Sequence, residues 1–235
     1  MIKKVVEQKD PQILIITPLR EGAKVSKQTK KTIKRTRTPY TWITYMGKGN
    51  PACNTNKGLK EYRKNYDKVP PYVIKLDNDI TASRFMLDKM VTALQRQSVM
   101  SDHRAGYAYC SFKFEGAVNA SFPADPFDIR RLMQHNYISF NSLIVYEALR
   151  QSGGFVTDDK YFRLLDWALW LKMFSYGYQG LPVQDCNFVA YASPDSVSAK
   201  GQEDYEIKHR AVHEDFVTPI LEGRTKMRNG RLVNE

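Results

Sequence analysis

The sequence predicts an α/β protein with one mostly parallel sheet flanked by helices, and two observations lead to this class. Short β-branched or aromatic runs alternate with segments of helical periodicity through the first half of the chain, a pattern typical of parallel strands joined by crossover helices. The chain has 235 residues, of which 42% are hydrophobic and 26% are charged. This length and composition suit a globular domain with a sizeable core, and they exclude collagen-like and wholly disordered chains.

The predicted elements alternate along the chain. The first strand is a β-branched run that Pro18 ends, and Val69-Pro70-Pro71 stops the second helix. Strands are expected at residues 13–17, 40–46, 72–76 and 107–114. Helices are expected at residues 24–35, 55–66, 83–97, 127–135, 145–151, 164–174 and 205–216. The polar end of the chain is expected to be loose.

Cysteine usage and hydropathy indicate a soluble, cytoplasmic protein. No apolar run approaches the roughly 18–20 residues that a membrane span needs, and no signal-peptide pattern follows Met1. The three cysteines are odd in number, widely spaced and without a CxxC pair. This spacing argues against a disulfide framework and against a zinc site.

An acidic triplet follows the third predicted strand. Asp77, Asn78 and Asp79 come where the strand ends, and open α/β sheets bind their ligands at the carboxyl ends of strands. Two carboxylates with one residue between them suit a hard divalent cation, which in turn binds diphosphate oxygens. An Asp-rich turn that caps the next helix accounts for the same residues equally well.

The second half of the chain carries the most specific pattern. Gly-Gly-Phe at residues 153–155 leads to LLDWALWLKM at residues 164–173. This order resembles the "GGF" and "ED-W-x-LWLR" motifs of family-2 glycosyltransferases with the GT-A fold. The Thr-Pro loop after strand one, GNPACNTNKGL at residues 49–59, KLDND at residues 75–79 and the tail from Ser196 to Arg210 also resemble segments of that family.

The resemblance implies a fold and an activity. The fold is a single GT-A domain over residues 1–218, with a mixed, mostly parallel sheet, a donor-binding half at about 12–100, an acceptor half at about 101–200, and a tail at 219–235. The activity is the metal-dependent, inverting transfer of a hexose or pentose from a nucleotide-diphosphate sugar to an acceptor hydroxyl. The expected acceptor is a glycan or, given the basic first quarter of the chain, a hydroxylated base in DNA.

The resemblance also implies roles for individual residues. Asp166 is the expected general base, and Asp77 and Asp79 are expected to hold Mn²⁺ or Mg²⁺, with His209 as a further metal ligand. The expected donor-binding residues are Thr17, Pro18, Arg20, Tyr45, Asn56, Lys75, Asp77, Asn78, Lys200 and Arg210. The expected acceptor-binding residues are Asn136, Gly154 and Trp167. Plainer interpretations are a helix N-cap for Asp166 and an exposed helix surface for His209.

Two departures from the family pattern leave a second hypothesis open. The family's "V-D-D-G-S" segment is replaced by Thr44-Tyr45-Met46-Gly47-Lys48, so base recognition must differ, with stacking on Tyr45 or a phosphate contact from Lys48 as candidates. Leu165 stands where Glu usually precedes the base. Both losses suit a catalytically inactive GT-A-like domain that binds nucleic acid or another polyanion. A nucleotidyltransferase also pairs Asp residues around a metal, but the segment at 153–173 disfavours it.

Positive charge is concentrated in the first quarter of the chain. The formal net charge is +11, and residues 1–64 hold 16 Lys and Arg against 4 Asp and Glu. Residues 24–37 contain seven basic residues and no acidic one. This segment is either a solvated helix face or a surface that steers a polyanionic acceptor or partner. No helix-turn-helix or zinc-finger pattern accompanies it, which disfavours sequence-specific base recognition.

Overall fold

A nine-stranded sheet runs through both halves of the chain in the computed structural model, which describes residues 1–100, 104–193 and 204–224, with 227–228 and 231–232. In chain order its strands are β1 (Ile2–Glu7), β2 (Ile13–Leu19), β3 (Tyr40–Met46), β4 (Tyr72–Lys75), β5 (Ile80–Ala82), β6 (Arg104–Gly116), β7 (Ala120–Phe122), β8 (Leu143–Val145) and β9 (Tyr178–Ala192). A separate hairpin pairs β10 (Met227–Arg228) with β11 (Arg231–Leu232).

The sheet is mixed, as predicted. Its strand order is β1-β3-β2-β4-β8-β6-β9-β5, with β7 paired to β6. The pairs β2–β3, β2–β4 and β6–β9 are parallel, and the other neighbours are antiparallel. The two longest ladders, β6–β9 and β2–β3, are parallel, and the shorter antiparallel ladders make the sheet mixed. The antiparallel strands β5, β7 and β8 have three residues each, too few to show a period of two in the sequence.

Helices cover both faces of the sheet, and each predicted helix is present. They are α1 (Lys27–Lys34), α2 (Pro51–Asn65), α3 (Met86–Met100), α4 (Ile129–Gln134), α5 (Tyr146–Gln151), α6 (Leu165–Ser175), α7 (Tyr205–Val212) and α8 (Thr218–Leu221). A 3₁₀ turn at Asp159–Tyr161 precedes α6, and a π-helical turn at His213–Val217 joins α7 to α8. Among the described helices, none combines the length and the apolar character needed to cross a membrane.

The alternating side chains of β2 divide the core into two layers. Leu14 and Ile16 pack into the layer that contains α2 and α6, while Ile13 and Ile15 pack into the layer that contains α1 and α3. All four side chains are fully buried, as expected for a central strand covered on both faces. The basic helix α1 and the helix α2 consequently lie on opposite faces of the sheet.

Three features differ from the sequence prediction. β2 continues through Pro18 to Leu19 instead of ending before it. The proline is tolerated because β4 pairs with β2 only as far as Ile16, so no neighbour on that side needs its missing N–H. β9 was not predicted, since Pro182, polar side chains and a register shift opposite Cys110 and Ser111 obscure its alternation. β1 was not predicted either, because it is an exposed edge strand rich in charge.

Candidate active site at the end of β4

A buried lysine stands at the carboxyl end of β4. The Lys75 side chain is 5% exposed, and its Nζ lies 2.6 Å from Oδ1 of Asp77. The same ammonium lies 4.6 Å from the centre of the Phe140 ring, where a cation–π contact stabilises it. A buried ammonium needs a compensating charge, and the Asp77 carboxylate supplies it. Lys75 is therefore enclosed by protein, whereas the sequence predicted that it binds the donor.

Asp77 is fixed from two sides. Its Oδ2 accepts a hydrogen bond of 2.9 Å from Asn141 Nδ2, and its backbone N–H donates to Asn141 Oδ1 at 2.8 Å. Together with the Lys75 ion pair, these bonds hold the first carboxylate of the triplet in one orientation. Sequence reasoning missed Asn141, since only the pairing of β8 with β4 brings it to this place.

Asp79 carries the second carboxylate of the triplet and is exposed to solvent. Partial desolvation, and then the negative charge of Asp77, raise its pKa to about 6, while Lys75 opposes the shift. Because the residue is exposed, water screens part of this effect. β5 begins at Ile80, directly after the triplet, so the triplet does not cap a helix.

Asp166 is the second residue of α6. The N-cap position belongs to Leu164, which excludes the N-cap interpretation of Asp166. Its Oδ1 accepts a hydrogen bond of 2.9 Å from the backbone N–H of Trp167, and Asn136 hydrogen-bonds the same carboxylate. Burial raises the pKa of Asp166 to about 6 against these bonds and the positive charge of Lys75.

The acidic triplet and Asp166 converge on one place although they are far apart in sequence. The charge of Lys75 acts on both Asp79 and Asp166. The Phe140 ring, which contacts Lys75, packs edge-on against Trp170 of α6 with ring centres 6.4 Å apart. This packing connects β4 to α6, and it brings Asp79 and Asp166 within electrostatic range of one buried ammonium.

The Gly-Gly-Phe turn is tied to α2 by a side-chain amide. Gly153 and Gly154 have φ of +77° and +79° after α5, a left-handed conformation that favours glycine. Asn56 Nδ2 donates to the carbonyl of Phe155 at 2.9 Å, and the Phe155 N–H donates to Asn56 Oδ1 at 3.2 Å. Lys172 Nζ donates to the Gly154 carbonyl at 3.3 Å. Asn56 and Gly154, predicted to bind donor and acceptor, therefore form structural contacts with the protein itself.

A cavity of about 450 Å³ lies where the end of β2 meets the start of α2. Arg20, Phe162 and Lys208 contribute to its walls, and so does the carboxylate of Asp159. The Lys208 ammonium lies 3.3 Å from Oδ2 of Asp204, at the surface. Asn50 caps α2 by accepting a bond of 2.8 Å from the Cys53 N–H, and the first turn of this 15-residue helix contains no acid. Asn50 Nδ2 donates to Asp159 Oδ1 at 2.8 Å, and the helix N-terminus and two cationic side chains outweigh this one carboxylate, so the cavity suits an anion. Of these residues, the sequence predicted only Arg20 for the site.

Three predicted ligand-binding side chains are enclosed by protein, which corrects their assignments. Thr17 is fully buried, and its hydroxyl accepts a hydrogen bond of 3.1 Å from Trp42 Nε1. Tyr45 is 9% exposed and packs against α2 at Gly58, where an added Cβ would approach within 3.2 Å. Trp167 is 1% exposed, and its indole N–H donates to a backbone carbonyl. Thr17, Tyr45 and Trp167 lie on the buried faces of β2, β3 and α6, so their side chains belong to the core.

The remaining predicted donor residues lie in different surroundings. Asn78 donates from Nδ2 to the Lys24 carbonyl at 3.1 Å and so anchors the segment before α1. Arg210 is exposed and lines a surface cavity with Glu206 and Glu214. Lys200 lies outside the described residues.

His209 packs against α6 instead of joining the acidic triplet. Its ring centre lies 4.7 Å from that of Trp167, and its Nε2 is 3.4 Å from the Gln134 carbonyl oxygen. Among the described residues, no group of three or more His, Cys, Asp or Glu side chains is placed to hold a metal ion. The role of His209 as a metal ligand stays a prediction.

The oxygen atoms at the triplet nevertheless suit Mg²⁺ or Mn²⁺. Such ions are usually held by one or two carboxylates, with water and substrate phosphates completing the shell. Asp79 is exposed, and the charge of Asp77 disfavours its ionised form. A cation at this position relieves that repulsion, so the residues fit a metal that is completed by a phosphate ligand.

The mixed sheet with helices on both faces agrees with the GT-A fold that the sequence predicts, and solved glycosyltransferase structures share this fold. TarS of S. aureus shares it with a TM-score of 0.57 at 11% identity, over 92% of this chain and 40% of TarS. Residues 1–349 of TarS in complex with UDP-GlcNAc give 0.53 at 10% identity, over 83% and 64%. Mannosyltransferase PcManGT from Pyrobaculum calidifontis, in complex with GDP-Man and Mn²⁺, gives 0.53 at 16% identity, over 92% and 66%. The TM-scores show a shared fold, and at identities this low the similarity shows the fold alone.

No protein-family model matches the chain, and no curated protein matches it in sequence. The chain spans 40% of the length of TarS.

Proposed function

We propose that the protein is a metal-dependent, inverting glycosyltransferase that uses a nucleotide-diphosphate sugar. The observation that carries the proposal is the convergence of Asp79 and Asp166 around buried Lys75 at the carboxyl end of β4. The similar structures that contain UDP-GlcNAc or GDP-Man with Mn²⁺ support the donor class. We further propose that residues 1–218 form one catalytic domain.

The donor nucleotide is proposed to occupy the cavity beside α2. The guanidinium of Arg20 and the ammonium of Lys208 face an anion there, and the N-terminal N–H groups of α2 add to the positive potential. The Phe162 ring offers an apolar surface for the base. This arrangement replaces the stacking on Tyr45 that the sequence suggested.

Asp79, together with Asp77, is proposed to hold the divalent cation. When bound, the cation offsets the negative charge that develops on the departing diphosphate. Lys75 and Asn141 keep Asp77 oriented toward this position.

Asp166 is proposed to remove the acceptor proton. The acceptor oxygen attacks the anomeric carbon while the bond to the diphosphate breaks, and the hydroxyl proton passes to the Asp166 carboxylate. A pKa of about 6 keeps the carboxylate ionised at neutral pH and still basic enough to take a proton. Asn136 and the Trp167 N–H hold it in place. One displacement inverts the anomeric configuration.

Calorimetry with a panel of nucleotide sugars, with and without Mn²⁺, tests the donor site. We expect binding that Arg20→Ala and Lys208→Ala weaken by roughly tenfold each, in the range of a lost charged hydrogen bond. Arg63→Ala, which removes an exposed cation at the far end of α2, is the matched control and should leave affinity unchanged. If no nucleotide sugar binds, the proposal fails; binding without turnover for any donor supports the catalytically inactive alternative.

A further inference from the structure

Helix α1 presents an uninterrupted basic surface. The exposed cations on it are Lys27, Lys30, Lys31, Lys34 and, at its C-cap, Arg35. No acidic residue occurs between residues 24 and 37. These side chains are spaced three and four residues apart, so like charges stand next to each other and repel along the helix surface.

Hydrogen bonds to the edge of the sheet hold α1 in place despite that repulsion. Thr29 Oγ1 donates to the Ile80 carbonyl and accepts from the Ile80 N–H, both at 3.0 Å. Thr32 Oγ1 accepts from the Ala82 N–H at 3.1 Å. Ile33 is fully buried beneath the helix. The threonines and Ile33 dock the inner face on β5, so the basic outer face is rigid.

The basic surface begins beside the acidic triplet, where the metal ion is proposed to bind. The Ser26 N–H donates to the Asn78 carbonyl at 2.8 Å, and Asn78 Nδ2 returns a bond to the Lys24 carbonyl at 3.1 Å. The start of α1 is therefore tied to the acidic triplet. A polymer that lies along α1 passes next to the triplet.

The surface continues past the far end of α1. Arg37, Lys89 and Arg96 line a cavity of about 580 Å³ between the end of α1 and α3. Two carboxylates, Asp88 and Asp185, also line it. Asp88 accepts bonds from the backbone N–H groups of Arg37 and Thr38 at 2.9 and 2.6 Å, so its charge is partly engaged by the protein.

We propose that this basic surface binds the phosphate backbone of double-stranded DNA and presents the DNA as the acceptor; the acceptor part rests on the proposed function. Duplex DNA carries one charge per about 1.7 Å of axis, and α1 offers a rigid row of cations about 12 Å long. Single strands usually need stacking rings. Phe85 is the aromatic residue that lines the cavity between α1 and α3. Its ring is covered by the guanidiniums of Arg37 and Arg84, which lie 4.1 and 4.6 Å from the ring centre.

An anionic membrane fits the surface less well. Interfacial helices insert an apolar face between their cations, whereas the apolar side chains of this segment, Val25 and Ile33, are buried in the core. The large hydrophobic side chains that the described residues expose lie elsewhere, at Met1, Val5, Tyr191, Tyr205, Ile207 and Leu221.

Fluorescence anisotropy with a labelled duplex of arbitrary sequence tests the proposal. The test variant combines Lys27→Gln, Lys30→Gln, Lys31→Gln and Lys34→Gln. The control variant combines Lys60→Gln, Arg63→Gln, Lys64→Gln and Lys68→Gln, which are exposed residues of α2 and the segment after it, on the opposite face of the sheet. Both variants lose four positive charges, so an effect of net charge alone is equal in the two.

We expect the α1 variant to bind the duplex at least about tenfold more weakly and to reduce the slope of log affinity against log salt by about 2–4. The control variant should retain wild-type affinity within about twofold. Equal losses in both variants overturn the proposal. So does tighter binding of wild type to the single strand, to heparin or to phosphatidylglycerol vesicles than to the duplex.

Nucleotide-sugar binding by the same proteins separates this proposal from the proposed function. The α1 variant should bind the donor as wild type does, because its four lysines lie outside the cavity beside α2. A wild type that binds duplex through α1 but binds no donor refutes the transferase and leaves the DNA surface standing. Donor binding with no duplex binding does the reverse.

Discussion

The substitution Asp166→Asn is expected to abolish transfer and, at neutral pH, to stabilise the folded protein. Burial raises the pKa of this carboxyl from 3.8 to about 6. The folded state thus binds the proton more tightly than the unfolded state, so the free energy of unfolding falls as pH rises from about 4 to about 6. At about 1.4 kcal/mol per pKa unit, the ionised carboxylate costs up to about 3 kcal/mol above that range.

Asparagine removes this cost and keeps the shape of the side chain. We expect a gain of about 1–3 kcal/mol in the free energy of unfolding at about pH 7.5, and almost no gain at about pH 3, which lies below both pKa values, so that Asp166 is mostly protonated in both states. Turnover should fall by about 10²–10⁴-fold through loss of the base. Urea unfolding at the two pH values measures the first effect, with the exposed Asp67→Asn as control. Equal stability of variant and wild type at neutral pH would mean that burial of the ionised Asp166 carboxylate carries no cost.

Three further substitutions test neighbouring parts of the account. Asp77→Asn should lower the free energy of unfolding by about 2–4 kcal/mol, since it leaves Lys75 buried without its partner, as urea unfolding will show. Asn136→Ala removes a bond that lowers the pKa of Asp166, so the acid limb of the pH–rate profile should move to higher pH. Lys31→Gln should raise the free energy of unfolding by about 0.5–1 kcal/mol, and so raise the melting temperature slightly, because it removes like-charge contacts along α1.

Each of these substitutions has a matched control and a contradicting outcome. For Asp77→Asn the control is Asp67→Asn, and unchanged stability means that the Lys75 pair is not needed. For Asn136→Ala the control is Asn65→Ala at the end of α2. A lower maximal rate with an unmoved acid limb would contradict the effect on the pKa of Asp166 and assign Asn136 a structural role. For Lys31→Gln the control is Lys68→Gln, and a lower melting temperature contradicts the repulsion along α1.

The local elements were predictable where sequence periodicity matches burial. β3 and β4 are apolar and β-branched, and α6 is apolar with helical spacing, so their positions follow from the residues alone. β9 could not be predicted, because Pro182 and a bulge interrupt its alternation and its partner β6 is distant in sequence. The short antiparallel strands depend on tertiary pairing for the same reason.

The site was predictable as motifs but not as contacts. The acidic triplet and Asp166 could be named from their sequence context, whereas the convergence around Lys75 depends on the three-dimensional packing of β4 against Phe140. Asn56 shows the opposite case, since a residue assigned to the donor from its motif instead clasps the Gly-Gly-Phe turn. An amide side chain both donates and accepts hydrogen bonds, and the sequence does not show which backbone groups it contacts. Such a side chain is therefore easily mistaken for a ligand-binding residue.

The central claim is that Asp166 activates an oxygen nucleophile for a single displacement at a nucleotide sugar. Proton NMR of the sugar released from UDP-GlcNAc or GDP-Man with Mn²⁺, water acting as acceptor, tests it most directly. The β-anomer should form first from these α-linked donors, and release should stop in Asp166→Asn but not in Asp67→Asn. Initial formation of the α-anomer, or undiminished release in Asp166→Asn, contradicts the claim.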